Sequence, residues 1–195
     1  MRGYLEITFG PMFSGKTTKL MDKIHKYLDI HRCKGVEKRG LIINSSKDKR
    51  EDIQNCEGLS THSTSKKEIS SSITCLRVRA LKELDSEILE NCDYIAIDEA
   101  QFFDDLVEFV QMWLDMGKHV HCSGLIADYK RKIFGDMIYL LPFADDVEQL
   151  KAYCIECQAH LMNAPFTKLR KPTGSDDVVF VSGSEHYIPV CGAHY

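Results

Sequence analysis

The sequence predicts an α/β fold: a mostly parallel sheet with helices on both faces, followed by a small C-terminal lobe of another character. Three observations carry this. Short apolar strands alternate with amphipathic helical segments over residues 4–122, the pattern of parallel sheets, whose crossovers are covering helices. A glycine-bounded loop joins the first strand to the first helix. From Ala152 onward Cys, His, Gly and Pro dominate and no long helix fits, which divides the chain into residues 1–151 and 152–195.

In order, residues 4–9 alternate, with Leu5, Ile7 and Phe9 apolar, and read as a strand. Residues 17–31 carry Leu20, Ile24 and Leu28 at four-residue spacing and read as a helix. A short buried strand follows at 40–44, then a polar stretch at 46–72 without sustained period, which reads as a long flexible loop. Residues 74–78 read as a strand, 80–90 as a helix, and 94–97 as an apolar strand ending directly at Asp98 and Glu99. Asp104 and Asp105 open a helix whose Leu106, Phe109, Val110, Trp113 and Leu114 make one apolar face, either core or interface surface. Residues 118–122 form a further strand.

A chain of 195 residues fits one domain, or one with a small appendage. The formal charge of −4 argues against an extended nucleic-acid surface, which needs clustered Lys and Arg. No apolar stretch approaches the roughly 18 to 20 residues that span a bilayer, and the first residues lack a signal-peptide core. The expectation is a soluble cytoplasmic enzyme with neither membrane nor nucleic acid as partner. Cys33, Cys56, Cys75, Cys92 and Cys122 have no motif spacing and read as single thiols in a reducing compartment.

Gly10-Pro11-Met12-Phe13-Ser14-Gly15-Lys16-Thr17 matches G-x-x-x-x-G-K-[ST] at every position, between a predicted strand and a predicted helix. Such a loop wraps backbone N–H groups around phosphate oxygens, and its glycines permit the turn and the close approach. Lys16 would reach the β- and γ-phosphates, Thr17 would bind Mg²⁺, and the helix N-terminus would face the anion. The fold is therefore P-loop NTPase-like. Asp98 and Glu99 end an apolar strand as a Walker B pair does: Asp98 on Mg²⁺ beside Thr17, Glu99 placed to take a proton from the attacking oxygen. ATPases, helicases and kinases share these parts, and the loop and acids do not separate them.

Cys154 and Cys157, then Cys191 and His194, form two pairs with two intervening residues each. Three thiolates and one imidazole make a closed, structural Zn²⁺ set. His160 and His186 are fallback ligands should His194 not serve.

With these residues in place, the chain resembles the type II thymidine kinases. The matching blocks are GPMFSGKTTKLM (10–21), IDEAQFFDDLVEF (97–109), GLIADYKRKIFGDM (124–137), CIECQAHLMNAPFTK (154–168) and SGSEHYIPVC (182–191). The resemblance implies a zinc-ribbon lobe whose lasso loop closes over the nucleoside, ATP-Mg as donor, and thymidine, and deoxyuridine as well, as acceptor. Glu99 would be the general base, with Lys16 and Arg50 at the phosphates. ATP would be held by residues 10–17, Asp48, Arg50, Asp98 and Gln101, and Mg²⁺ by Thr17 and Asp98. Tyr129 would stack on thymine where the family often has Phe. Met12, Phe102, Leu125, Thr167 and Tyr187 would be further walls, and Val178, Val179, Phe180, Val181 and Ser182 would present backbone groups to the base edge. The resemblance also implies a homotetramer, or a dimer, and feedback inhibition by dTTP. Ala100 stands where the family commonly has Gly, and His194 where many members have Cys.

Two other readings compete. A nucleic-acid motor would need a basic face and a second motor lobe, for which a short chain of charge −4 leaves no room. A nucleotide sensor without catalysis would have no use for Glu99. Among kinases, deoxycytidine or broader deoxynucleoside specificity is the nearest rival.

Overall fold

The computed structural model of the chain describes residues 2–47, 71–157, 163–170 and 186–195. Six segments, β1 (Tyr4–Phe9), β2 (Gly40–Ser45), β3 (Ile73–Val78), β4 (Tyr94–Ile97), β5 (His119–Gly124) and β6 (Asp146–Gln149), form one sheet in the order β3-β2-β4-β5-β1-β6. Every pairing in it is parallel. Successive side chains of a strand point to opposite faces, and the apolar residues sort accordingly. Leu5, Ile7, Leu41, Ile43, Ile95, Ile97, Val120 and Cys122 share one face, covered by Leu106, Val110, Trp113 and Leu114 of α3 (Leu106–Asp115). Ile42, Ile73, Tyr94 and Ala96 share the other, covered by Leu20, Met21, Ile24 and Leu28 of α1 (Lys16–Cys33). Both faces are thus buried, as an all-parallel sheet requires.

Trp113 is fully buried, so the core reading holds for it and the interface reading does not. Phe109 packs on its edge, ring centroids 6.0 Å apart. Truncating so large a core ring typically costs ~3–5 kcal/mol.

Three features differ from the sequence reading. The single helix expected over 80–90 is two pieces, a 3₁₀ turn at Leu81–Glu83 and α2 at Ser86–Asn91. Leu84 and Asp85 between them are extended, and the Asp85 carboxylate accepts from Glu87 N at 2.8 Å. Asp competes with the helix for backbone donors and wins as an N-cap. Second, β5 ends two residues later than expected, so its last residues, Ser123 and Gly124, are buried strand. Third, β6 was not foreseen. Its Asp146, Val147 and Gln149 are exposed on the sheet edge, and no apolar alternation marks it.

A polar seam lies under α1. Thr8 Oγ1 and His121 Nε2 are hydrogen-bonded at 2.8 Å, and Tyr94 Oη lies 3.3 Å from His121 Nδ1. Burial pushes the His121 imidazole down to about 4. Nearby, Glu6 is held at about 2: burial would raise it, but the hydrogen bonds from His119 and Lys23 outweigh that.

After β6, Ala152 bridges to Ala164, and β7 (Phe166–Leu169) pairs antiparallel with β8 (Tyr187–Val190) as a separate two-stranded sheet. Ala152, Cys154, Ala164, Ile188, Val190 and Cys191 form a small cluster of their own. No helix among the described residues is long and apolar enough to cross a membrane.

Candidate active site and metal centre

In a parallel sheet all carboxyl ends lie at one edge, where ligands of open α/β sheets bind. Here the neighbours β4, β5 and β1 deliver three loops to that edge: Asp98-Glu99, 125–134 and 10–15. The phosphate loop needs both of its glycines. A Cβ on Gly10 would lie 2.5 Å from Leu150 O and 2.8 Å from Ser14 Oγ, and Gly15 has φ +83. Ser14 Oγ and Lys16 Nζ both donate to Pro11 O, at 2.9 and 2.8 Å, which folds the loop on itself. Gly15 caps α1 without a side chain, and the first turn contains no acidic residue. The leading N–H groups of an 18-residue helix, with the positive end of its dipole, therefore face the loop.

Across the sheet, Thr17 Oγ1 donates to Asp98 Oδ2 at 2.8 Å, joining residues 81 apart in sequence. Asp98 is only 3% exposed. A hydroxyl and a carboxylate side by side are the hard oxygen donors that Mg²⁺ takes. Glu99 follows in left-handed backbone, φ 50 and ψ 43, and opens a 3₁₀ turn at Ala100–Phe102. Its Oε2 accepts from Gln101 Nε2 at 2.6 Å, and Gln101 Oε1 accepts from Leu125 N at 2.9 Å.

The C-terminal hairpin closes on these loops. Met12 N donates to Thr167 Oγ1 at 3.1 Å, so β7 touches the phosphate loop itself. The Tyr129 and Tyr187 rings lie 6.0 Å apart, and Phe102 packs edge-on against Phe134 at 5.8 Å. The loop that carries Leu125 and Tyr129 is closed by Asp128, whose Oδ1 accepts from Lys130 N and Lys132 N at 2.8 and 2.9 Å.

Of the residues singled out in the sequence, Met12, Lys16, Thr17, Asp98, Glu99, Gln101, Leu125 and Thr167 are joined by these contacts or lie beside them. Tyr129 and Tyr187 face each other. Asp48, Arg50, Val178, Val179, Phe180, Val181 and Ser182 lie outside the described residues, as does His160. Sequence reasoning missed Tyr195. Its hydroxyl donates to Tyr129 O at 2.5 Å, the Arg131 guanidinium lies 3.9 Å over its ring, and Phe166 meets it edge-on at 5.7 Å. One aromatic after a metal ligand offers no spacing signal that could have found it.

Cys154, Cys157, Cys191 and His194 come together with all four ligand atoms within 4.8 Å of one another; His186 is not among them. A tetrahedral Zn²⁺ with Zn–S of about 2.3 Å and Zn–N of about 2.0 Å sets sulfurs about 3.8 Å apart and sulfur–nitrogen pairs about 3.5 Å apart. Here Cys157 Sγ lies 3.7 Å from Cys191 Sγ, and His194 Nδ1 lies 3.5, 3.4 and 3.2 Å from the sulfurs of Cys154, Cys157 and Cys191. The donor set and its spacing fit zinc.

A family model described as thymidine kinase matches residues 3–195. The cytosolic thymidine kinase of Gallus gallus is 34% identical over 195 residues, covering 100% of this chain and 77% of the relative. The thymidine kinase of Yaba monkey tumor virus (strain VR587) is 33% identical over 194 residues, 99% of this chain and 94% of the relative. The cytosolic thymidine kinase of Homo sapiens is 34% identical over 195 residues, 100% and 74% respectively.

Proposed function

The chain belongs to the thymidine kinase family, and we propose that it transfers the γ-phosphate of ATP to the 5′-hydroxyl of thymidine with Glu99 as general base. Thymidine phosphorylation of this kind salvages DNA precursors. The observation that carries the reading is the 2.8 Å bond from Thr17 Oγ1 to Asp98 Oδ2, which puts Glu99, the next residue, beside the phosphate loop.

In this reading Thr17 and Asp98 would hold Mg²⁺, which would neutralise charge developing on the transferred phosphoryl oxygens. Lys16, now folded onto Pro11 O, turns to the β- and γ-phosphates, and the α1 N-terminus faces them. Glu99 takes the 5′-hydroxyl proton as the oxygen attacks phosphorus. Phe102, Leu125, Tyr129 and Tyr187 wall the base, and Thr167 ties that wall to Met12. Zinc held by Cys154, Cys157, Cys191 and His194 would be structural, since four protein ligands would leave it no open position. Residues 1–151 are the nucleotide-binding unit and 152–195 the zinc lobe. Arg50 and Asp48 at the phosphates, backbone contacts from Val178 to Ser182, deoxyuridine as a second acceptor, dTTP as inhibitor, a homotetramer or dimer and a cytoplasmic location complete the proposal. Two of the relatives above are named cytosolic.

The test is a phosphorylation assay with ATP-Mg across the four deoxynucleosides and deoxyuridine, in the wild type and in Glu99→Gln. Thymidine should be the preferred acceptor, and Glu99→Gln should bind both substrates yet lose kcat by ~10² or more. A near-normal kcat in that variant would remove Glu99 from the mechanism.

A further inference from the structure

We infer that Gln101 is a positioning residue for Glu99, fixing its carboxylate in register with the nucleoside-side loop that begins at Leu125, and is not a ligand for ATP. The inference rests on the reading of Glu99 as base and goes beyond it.

Chemistry sets the orientation of the amide. Leu125 N can only donate and a carboxylate only accept, so the Gln101 oxygen must face Leu125 N and the NH₂ must face Glu99. The distances of 2.9 Å and 2.6 Å match that arrangement, and the flipped amide would oppose like groups at both ends. Gln101 itself is 3% exposed, and both bonds, to half-buried partners, are partly shielded from water. A hydrogen bond to an ionised acceptor in such a place is among the stronger ones.

The surroundings are cut to this side chain. A Cβ on Gly124, the last residue of β5, would lie 2.2 Å from Gln101 Oε1. A Cβ on Gly135 would lie 2.2 Å from Gln101 O, and Gly135 has φ +66, a backbone suited to glycine. One glycine makes room for the amide, the other for the main chain of the same residue. Glu99 itself stands at a left-handed turn, and engaging one carboxylate oxygen restricts the rotation of the group. A general base depends on such alignment, because a displacement of about 1 Å can cost ~10² in rate.

Leu125 is the other end of the bridge. The loop it opens carries Tyr129, proposed to stack on the base, so Gln101 ties the proton acceptor to the part of the protein that seats the nucleoside. To meet ATP, the Gln101 amide would have to leave both partners.

The test uses the full-length, zinc-loaded enzyme. Gln101→Glu keeps the shape and the acceptor for Leu125 N but replaces the donor to Glu99 with a like charge. It should lower kcat ~10-fold or more with KM for ATP within ~2-fold of wild type. Gln101→Asn, one methylene too short to span both partners, should also lose kcat, which provides a second reading if Gln101→Glu folds poorly. In the Glu99→Gln background, Gln101→Glu should change single-turnover rate by less than ~2-fold, because two residues acting as a unit are not additive. A raised KM for ATP with kcat intact would make Gln101 an ATP ligand and overturn the inference. Full additivity with Glu99→Gln would overturn it too, by reducing Gln101 to general scaffolding. A normal kcat in Gln101→Glu with a crippled Glu99→Gln would sink the inference alone, whereas an active Glu99→Gln would sink the base itself.

Discussion

The two walls of the site are built differently. The wall proposed for the phosphates hangs from β1, β4 and β5, inner strands of a six-stranded ladder with packed core on both faces. The wall proposed for the nucleoside draws on β7 and β8, a two-stranded hairpin with a small cluster and four side chains gathered for one metal. A lone hairpin is marginal in water. The proposed site thus has one wall stabilised by the whole sheet and one that a zinc cross-link would stabilise. The two meet directly at Met12–Thr167, at 3.1 Å. What damages one should largely spare the other, and that separability can be broken by experiment.

The largest effect should come from the metal. Cys157→Ser, or chelation, frees the hairpin and should weaken thymidine binding by ~10- to 100-fold while ATP binding stays within ~2-fold, since binding of a structural metal is coupled to folding of its site. Isothermal titration with each ligand separates the two. Equal loss of both affinities would mean that the lobe supports the entire fold, and the contrast between the walls would fall. Active protein found free of zinc by metal analysis would remove the cross-link altogether.

Acid should do the opposite and act on the sheet wall. The buried His121 imidazole sits at about 4 against an ordinary value of 6.5. Between those values the unfolded chain takes up a proton that the folded ring does not. The unfolded state then binds more protons, so stability, intact above pH ~6.5, falls as pH drops towards ~4. A displacement of that size corresponds to ~3 kcal/mol at most. Glu6, held at about 2 against 4.5, adds a further loss below pH ~4.5. Denaturant unfolding between pH 7.5 and 4.5 should show the slope, and His121→Gln should flatten most of it. The same slope in Cys157→Ser protein would sharpen the comparison, since acid would then be acting where zinc does not. A His121→Gln slope equal to wild type would place the acid sensitivity elsewhere.

The same contrast governs what could be read from the sequence. The sheet wall announces itself because its chemistry is local. Gly10 to Thr17 is one contiguous loop, Asp98 and Glu99 end one apolar strand, and alternation in residues 4–9 or 94–97 reports burial directly. The metal set is legible too, because ligand pairs keep a fixed spacing. The rest is set by tertiary contact. Gln101 gave no sign of bridging Glu99 to Leu125, since that bond joins a turn to a loop 24 residues on. The 80–90 helix breaks because Asp85 caps from within, a choice between two uses of one carboxylate that apolar periodicity does not register. Edge strand β6 (DVEQ) is too exposed for alternation to mark it. β7 and β8, four residues each, are strands only through each other.

The smallest expected effect tests the finest joint between the lobe and the nucleoside loop. Tyr195 stands next to the metal ligand His194, and its hydroxyl donates to Tyr129 O at 2.5 Å while Arg131 lies 3.9 Å over its ring. Arg131 itself has φ 59, uncommon for a non-glycine residue, so the stacked guanidinium helps hold a turn that its backbone does not favour. Through these contacts the four-ligand cluster, one residue away, is tied to the loop that carries Tyr129. Tyr195→Phe removes only the hydroxyl bond, worth ~1 kcal/mol net, and should raise KM for thymidine ~2- to 5-fold with KM for ATP unchanged. Tyr195→Ala also removes the ring under Arg131, worth another ~0.5–1 kcal/mol, and should reach ~10-fold. Both effects pass through the lobe, so in Cys157→Ser protein, where the lobe is already loose, Tyr195→Phe should add nothing further. If it still weakens thymidine there by the same factor, Tyr195 acts on the loop independently of the metal. Equal changes in the two KM values would instead put Tyr195 in the service of both walls at once.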